Sequence, residues 1–126
     1  MTVLYGRMIE VTRQRFEELV GDALDAVPEG LARLIDNIVV IVEDDSGDPD
    51  LLGHYEGVPL TERQSYGEMS FGGLAMPDRI LIFRLPICAM CDSEDDVVEE
   101  VLVTVVHELA HHFGIDDDTL DELGWS

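Results

Sequence analysis

A single long helix, predicted to begin after Ser93 and to end at Gly114, organises this sequence. Ser93 is a favourable N-cap because its hydroxyl can accept a hydrogen bond from the first helical turn. Three acidic residues follow it, Glu94, Asp95 and Asp96, where the positive end of the helix dipole favours carboxylates. Gly114 can adopt the left-handed conformation of a C-terminal cap, so the helix is predicted to stop there.

Placing these residues on a helix, at about 100° per residue, separates an apolar arc from a polar face. The apolar arc consists of Val98, Leu102, Val105, Val106, Leu109 and Phe113. His107 and His111 fall almost opposite that arc, together with Glu100 and Thr104. The helix is therefore expected to pack on a core and to present two imidazoles, one turn apart, on its other face.

The spacing of the two histidines is typical of a metal site. Imidazoles four residues apart on a helix can both reach one ion about 2 Å from their ring nitrogens. Glu108 is rotated by one residue, so it is placed to take a proton from a water molecule rather than to bind the ion. A tetrahedral catalytic zinc also needs a third protein ligand and an open position for water.

The residues after the helix offer a third ligand. Gly114 can turn the chain back, so that the carboxylate of Asp117 could reach the same ion, which completes the pattern HExxHxxGxxD. Asp116 and Asp118 flank Asp117, and either could replace it if the turn differs by one residue. Glu122 is a weaker substitute.

Three further segments predict a small sheet. They are residues 38–43 (IVVIVE), the start of residues 51–63 (LLGHYEGVPLTER) and residues 79–85 (RILIFRL). The expected fold is α+β, with a mixed three- or four-stranded sheet packed on a central HExxH helix. The strand at 79–85 is expected to lie where an extended peptide could bind along a sheet edge.

The N-terminal part predicts one more helix and a turn. Thr12 is a plausible N-cap, and Phe16, Leu19, Val20, Ala23, Leu24 and Val27 recur at helical spacing. Pro28 then interrupts the pattern, and the stretch GLARLI is expected to form a short turn.

Length and charge limit the possible functions. The 126 residues suffice for a single domain, residues 1–126, with one core. With 28 acidic and 7 basic residues, the net charge is −21, which disfavours binding to nucleic acid or to an anionic membrane. No segment approaches the roughly 18 apolar residues of a membrane span, and the N-terminus lacks a signal-peptide pattern, so a cytoplasmic location is expected.

Several other residues invite a functional role. Cys88 and Cys91 are expected to be ordinary thiols, with a redox or second-metal role as the alternative. His112 lies nearer the apolar arc, which favours a structural role over metal binding. Tyr55 and Tyr66 could stabilise an oxyanion, but nothing in the sequence places them near the helix.

Three segments closely resemble the small bacterial zincin-like metallopeptidases. They are LLGHYEGVPLTER, MPDRILIFRLP and TVVHELAHHFGIDDDTLDELGW, so the resemblance covers roughly residues 51–125. It implies a minimal zincin fold and a Zn²⁺ ion held by His107, His111 and Asp117, with Glu108 as catalytic base. No methionine follows Asp117, so the methionine turn of metzincins is not predicted.

The predicted function is zinc-dependent peptide hydrolysis, in which Glu108 activates a zinc-bound water. The substrate would be a peptide or protein of unidentified sequence. The alternative is a catalytically weak or inactive protein-binding module, stabilised by zinc, whose acidic surface captures a basic partner. A catalytic base beside an open coordination position would have no task in such a module, and Glu108 therefore favours the enzyme.

Overall fold

The computed structural model describes residues 9–57 and 77–125. The helices in these ranges are α1 (Arg13–Asp25), α2 (Glu29–Ile35), α3 (Arg84–Ala89), α4 (Glu94–Phe113) and α5 (Asp117–Glu122). The strands are β1 (Ile38–Glu43), β2 (Gly53–Glu56) and β3 (Asp78–Phe83). Together they form an α+β fold in which a small mixed sheet packs on α4, as the sequence predicts. None of the described helices combines the length and the apolar character needed to cross a bilayer.

Strand β3 is the central strand of the described sheet. β1 pairs with it in parallel, with Ile38 opposite Asp78, and β2 pairs with it antiparallel, with Gly53 opposite Ile82. The strand order is therefore β1-β3-β2. The expectation that the segment 79–85 supplies a free sheet edge is wrong, because β3 is paired along both sides.

Helix α4 begins and ends where the sequence predicts. The Ser93 hydroxyl accepts a hydrogen bond from the backbone N–H of Asp96 at 3.1 Å. Gly114 adopts a φ of 65° at the C-terminal end, and its N–H donates to the carbonyl of Ala110. Both ends are thus fixed by local chemistry.

Two hydrophobic clusters pack against different sides of α4. On one side, Val97, Val101, Val105 and Leu109 join a cluster with residues of α1 and the sheet, among them Phe16, Ile80 and Ile82. On another side, Val106 and Ala110 pack with Val27, Leu31 and Leu120. The buried surface of the helix is therefore wider than the predicted arc, and Phe113, at the end of that arc, is 44% exposed.

Segment GLARLI, expected to be a turn, forms most of α2. Pro28 is its N-cap residue, with a φ of −55° that is compatible with the start of a helix. Leu31 is fully buried in the second cluster, and Leu34 and Ile35 are partly buried around it. Three apolar residues at helical spacing thus hold α2 against the end of α4.

Thr104 lies in the core rather than on the polar face where the helix projection places it. Its side chain is only 7% exposed, because β2 crosses α4 at this point. A Cβ atom on Gly53 of β2 would lie 2.6 Å from Thr104 Cγ2 and 3.1 Å from the carbonyl oxygen of Leu81. The close approach of strand and helix therefore requires glycine at position 53.

We predict that Gly53→Ala lowers the free energy of unfolding by about 1–3 kcal/mol, because the added methyl group overpacks this contact. Thr104→Ser removes Cγ2 and thereby the closest contact. Gly53→Ala should therefore lower the free energy of unfolding less in the Thr104→Ser protein than in the native protein. Urea denaturation of the four proteins measures both effects.

Gly21 provides the matched control. It lies in α1, and a Cβ atom there would meet no other atom within 4 Å. Gly21→Ala should therefore stabilise the protein by about 0.5–1 kcal/mol through helix propensity. Equal effects at positions 21 and 53 would contradict the proposed close contact.

Candidate metal centre

The two histidines of the HExxH segment lie on the exposed side of α4. His107 and His111 are both solvent-exposed and are one helical turn apart, while Val105, Val106, Leu109 and Ala110 around them are buried. The burial pattern thus leaves the predicted metal-binding face accessible, as the sequence requires.

A cavity of about 300 Å³ lies between the last turns of α4 and helix α5. Its lining consists of His107, Ala110, Ile115, Asp117, Leu120, Asp121 and Trp125. Two predicted ligands, His107 and Asp117, therefore line the same cavity. His111 is not part of this lining.

These donors fit zinc by their chemistry, since imidazole nitrogen and carboxylate oxygen are its common protein ligands. Within residues 9–57 and 77–125, however, no three His, Cys, Asp or Glu side chains are grouped closely enough to hold a metal ion. The ligand set of His107, His111 and Asp117 therefore stays a prediction from the sequence.

The alternative third ligands differ in their surroundings. Asp116 is the N-cap of α5, where its Oδ1 accepts a hydrogen bond from the Thr119 N–H at 2.8 Å. Hydrogen bonding to Thr119 lowers the pKa of Asp116 below its usual value, and Oδ1 of this carboxylate is engaged in the cap. Asp118 and Glu122 are exposed and lie outside the cavity lining.

Asp121 is a cavity residue that the sequence reasoning missed. The segment after Gly114 was expected to be an acidic turn, whereas residues 117–122 form a short helix. Asp117 and Asp121 are four residues apart, so in a helix they share one face. The spacing of the two aspartates in DDTLD could have predicted that they lie together, but only if the segment is taken to be helical.

Glu108 is half-buried and is anchored to the sheet. Its Oε1 accepts a hydrogen bond from the backbone N–H of Tyr55 at 3.0 Å. The Leu52 carbonyl accepts from the Phe83 N–H. Because every second residue of an antiparallel strand bonds to the same neighbour, residues 52, 54 and 56 would turn their backbone hydrogen-bonding groups towards β3. The N–H of Tyr55 consequently points to the other side of β2, where it meets Glu108.

The side chain of Tyr55 ties β2 to β3 and to the end of α4. Its hydroxyl donates to Oδ2 of Asp78 at 2.5 Å, so it is engaged there rather than at the predicted metal-binding face. The imidazole of His112 stacks on its ring, with the ring centroids 3.8 Å apart. His112 Nε2 also lies 4.0 Å from Asp78 Oδ2, and these contacts agree with a structural role for His112.

Among the remaining candidates, those that the structure describes lie outside the cavity lining. Tyr66 lies outside the described residues. Cys88 and Cys91 are buried free thiols. Burial raises the pKa of both, that of Cys91 to about 11, which keeps them protonated and poorly nucleophilic.

Comparison with known proteins gives the family. A sequence model of zincin-like metallopeptidases matches residues 35–125, and the chain belongs to this family. The match confirms the resemblance inferred from the three segments between residues 51 and 125 and implies zinc binding in general terms.

The fold also has a relative among solved structures. A conserved hypothetical protein from Thermus thermophilus is similar, with a TM-score of 0.50 and 25% sequence identity. The similarity covers 82% of this chain and 94% of that chain. No curated protein matches the sequence.

We predict about one zinc ion per chain when the protein is purified without chelator and without a metal-affinity resin. His107→Ala and Asp117→Ala should each lose it, because either change removes a ligand. Plasma mass spectrometry of the purified proteins gives the metal content directly.

Asp118→Ala is the control, since it removes an exposed carboxylate one residue from the proposed ligand. It should keep its zinc. Loss of zinc in Asp118→Ala but not in Asp117→Ala would show that the turn places a different carboxylate at the ion.

Proposed function

We propose that this protein is a zinc-dependent peptidase in which His107, His111 and Asp117 hold the metal and Glu108 is the catalytic base. The family match supports the class of enzyme. The observation that carries the residue-level proposal is the anchoring of Glu108 beside two exposed histidines. A carboxylate with a fixed orientation next to a metal-binding face is what proton transfer at that face needs.

The metal would supply the electrophilic part of the chemistry. When bound, zinc lowers the pKa of a water molecule and polarises the carbonyl group of the peptide. The two imidazoles and the Asp117 carboxylate would hold it, and the cavity beside His107 gives solvent and substrate access to this side of α4.

Glu108 would move the proton. Its Oε1 is held by the Tyr55 N–H, and among the described residues Oε2 has no hydrogen-bond partner. Oε2 can therefore accept the proton of the attacking water and later deliver it to the leaving amine. The hydrogen bond from the Tyr55 N–H of β2 keeps the carboxylate from rotating during these two proton transfers.

Glu108→Gln should lower the rate of peptide hydrolysis by about 100-fold or more, because the amide cannot act as a base. Zinc content and urea stability should change little, since glutamine has the same shape and its amide oxygen can still accept from the Tyr55 N–H. Cleavage of a mixed peptide library by the zinc-loaded proteins, followed by mass spectrometry, measures the effect.

Two results would contradict this proposal. Undiminished cleavage by Glu108→Gln would assign the activity to another base or to a contaminating protease. A zinc-loaded native protein that cleaves no peptide in the library would favour the alternative, a zinc-stabilised acidic module that binds a basic partner.

A further inference from the structure

The cavity next to His107 combines apolar walls with acidic groups. Ala110, Ile115, Leu120 and Trp125 supply the apolar surface, while Asp117 and Asp121 supply carboxylates. Its volume of about 300 Å³ is at the lower limit of ordinary ligand pockets, which suits one side chain rather than a longer segment.

Asp121 has no assigned task in the chemistry described above. If Asp117 holds the metal, the Asp121 carboxylate lies one helical turn further along the same face of α5. Among the described residues, no hydrogen bond or ion pair engages its side chain, whereas its backbone carbonyl accepts from the N–H groups of Leu123 and Gly124. It is therefore a charged group in the cavity that can take a partner.

No lysine or arginine side chain lines the cavity, so none competes there for this carboxylate. Arg13, Arg15, Arg79 and Arg84 are paired with carboxylates elsewhere in the described structure. The net charge of −21 further attracts a positively charged ligand towards the surface.

A lysine or arginine side chain matches both parts of the cavity. Its hydrocarbon stem can lie against Ile115 and Leu120 while its charged group reaches a carboxylate. Trp125 offers an aromatic surface to the same cation. An acidic side chain would meet like charge in the same place.

Building on the proposed peptidase function, we propose that Asp121 determines specificity and that the enzyme cleaves peptides next to a lysine or arginine residue. The side chain adjacent to the cleaved bond would enter the cavity beside His107, and its cation would pair with Asp121. Asp121 would then select the substrate without binding the metal.

A peptide library that varies the residues on either side of the cleaved bond tests this inference. Native protein should prefer arginine or lysine at one of these positions. Asp121→Asn should reduce kcat/KM for basic peptides by roughly 10- to 100-fold, the effect of losing a charge-assisted hydrogen bond, and should leave neutral peptides within about threefold. Asp121→Arg should reverse the charge preference.

Asp118→Asn is the matched control, because it removes the same charge from the same helix at a position outside the cavity. It should keep the preference of the native protein. An equal loss of the preference in Asp118→Asn would mean that net charge, rather than the cavity, selects basic peptides, and would overturn the inference.

Two further measurements separate this inference from the proposed function. Zinc content of Asp121→Asn should be unchanged, and its loss would make Asp121 a ligand instead of a specificity residue. Fluorescence anisotropy should show zinc-loaded Glu108→Gln binding a labelled arginine peptide more tightly than its leucine counterpart, and Asp121→Asn in that background should remove the difference.

The possible results point in different directions. Cleavage without preference, or with a preference that Asp121→Asn does not change, leaves the peptidase and overturns the specificity. Binding that depends on Asp121, without any cleavage by the native protein, overturns the peptidase and keeps the cavity as a site for basic side chains. If the protein shows neither cleavage nor such binding, both the peptidase function and the specificity are overturned.

Discussion

Helix α4 is buried from two directions at once, and this double burial decides which of its residues can do chemistry. Val101, Val105 and Leu109 face α1 and the sheet, while Val106 and Ala110 face α2 and α5. In the last two turns Leu109 and Ala110 are buried, and His107 and His111 are exposed together with His112 and Phe113. The core and the predicted metal-binding face are thus two consequences of one packing arrangement.

Local signals in the sequence were sufficient to predict both ends of α4 and the exposure of its two HExxH histidines. Ser93 and Gly114 act on groups within one turn, so their effect does not depend on the rest of the fold. The same holds for Thr12, whose hydroxyl accepts from the Arg15 N–H at the start of α1. A periodic pattern with good caps is therefore predictable from the sequence.

Non-local contacts account for what the sequence did not reveal. A helix projection shows that Thr104 lies beside the histidines, but only the arrival of β2 with Gly53 buries it. The bond between Glu108 and the Tyr55 N–H joins residues 53 positions apart, and no periodicity encodes it. Asp121 was missed for a different reason, because the helical state of its short segment could not be assigned with certainty from composition.

Family membership and geometry support different parts of the functional argument. The family supplies the class of fold and its general use of zinc. The geometry supplies an anchored Glu108 carboxylate, two exposed imidazoles and a cavity lined by His107 and Asp117. In the proposed peptidase, substrate selection depends on the small cavity that contains Asp121.

The strand order has a consequence for how the chain acquires its structure during synthesis. β1 and β2 follow one another in the sequence, yet β3 separates them in the sheet, so neither has its described partner until β3 has been made. Parallel pairing of β1 with β3 closes a long loop, which is slow compared with forming a hairpin. Because α4 follows β3 after one short helix, the sheet and the histidine-bearing helix would emerge from the ribosome close together. The N-terminal half is therefore expected to remain without a completed sheet until synthesis reaches the segment that carries the predicted metal ligands.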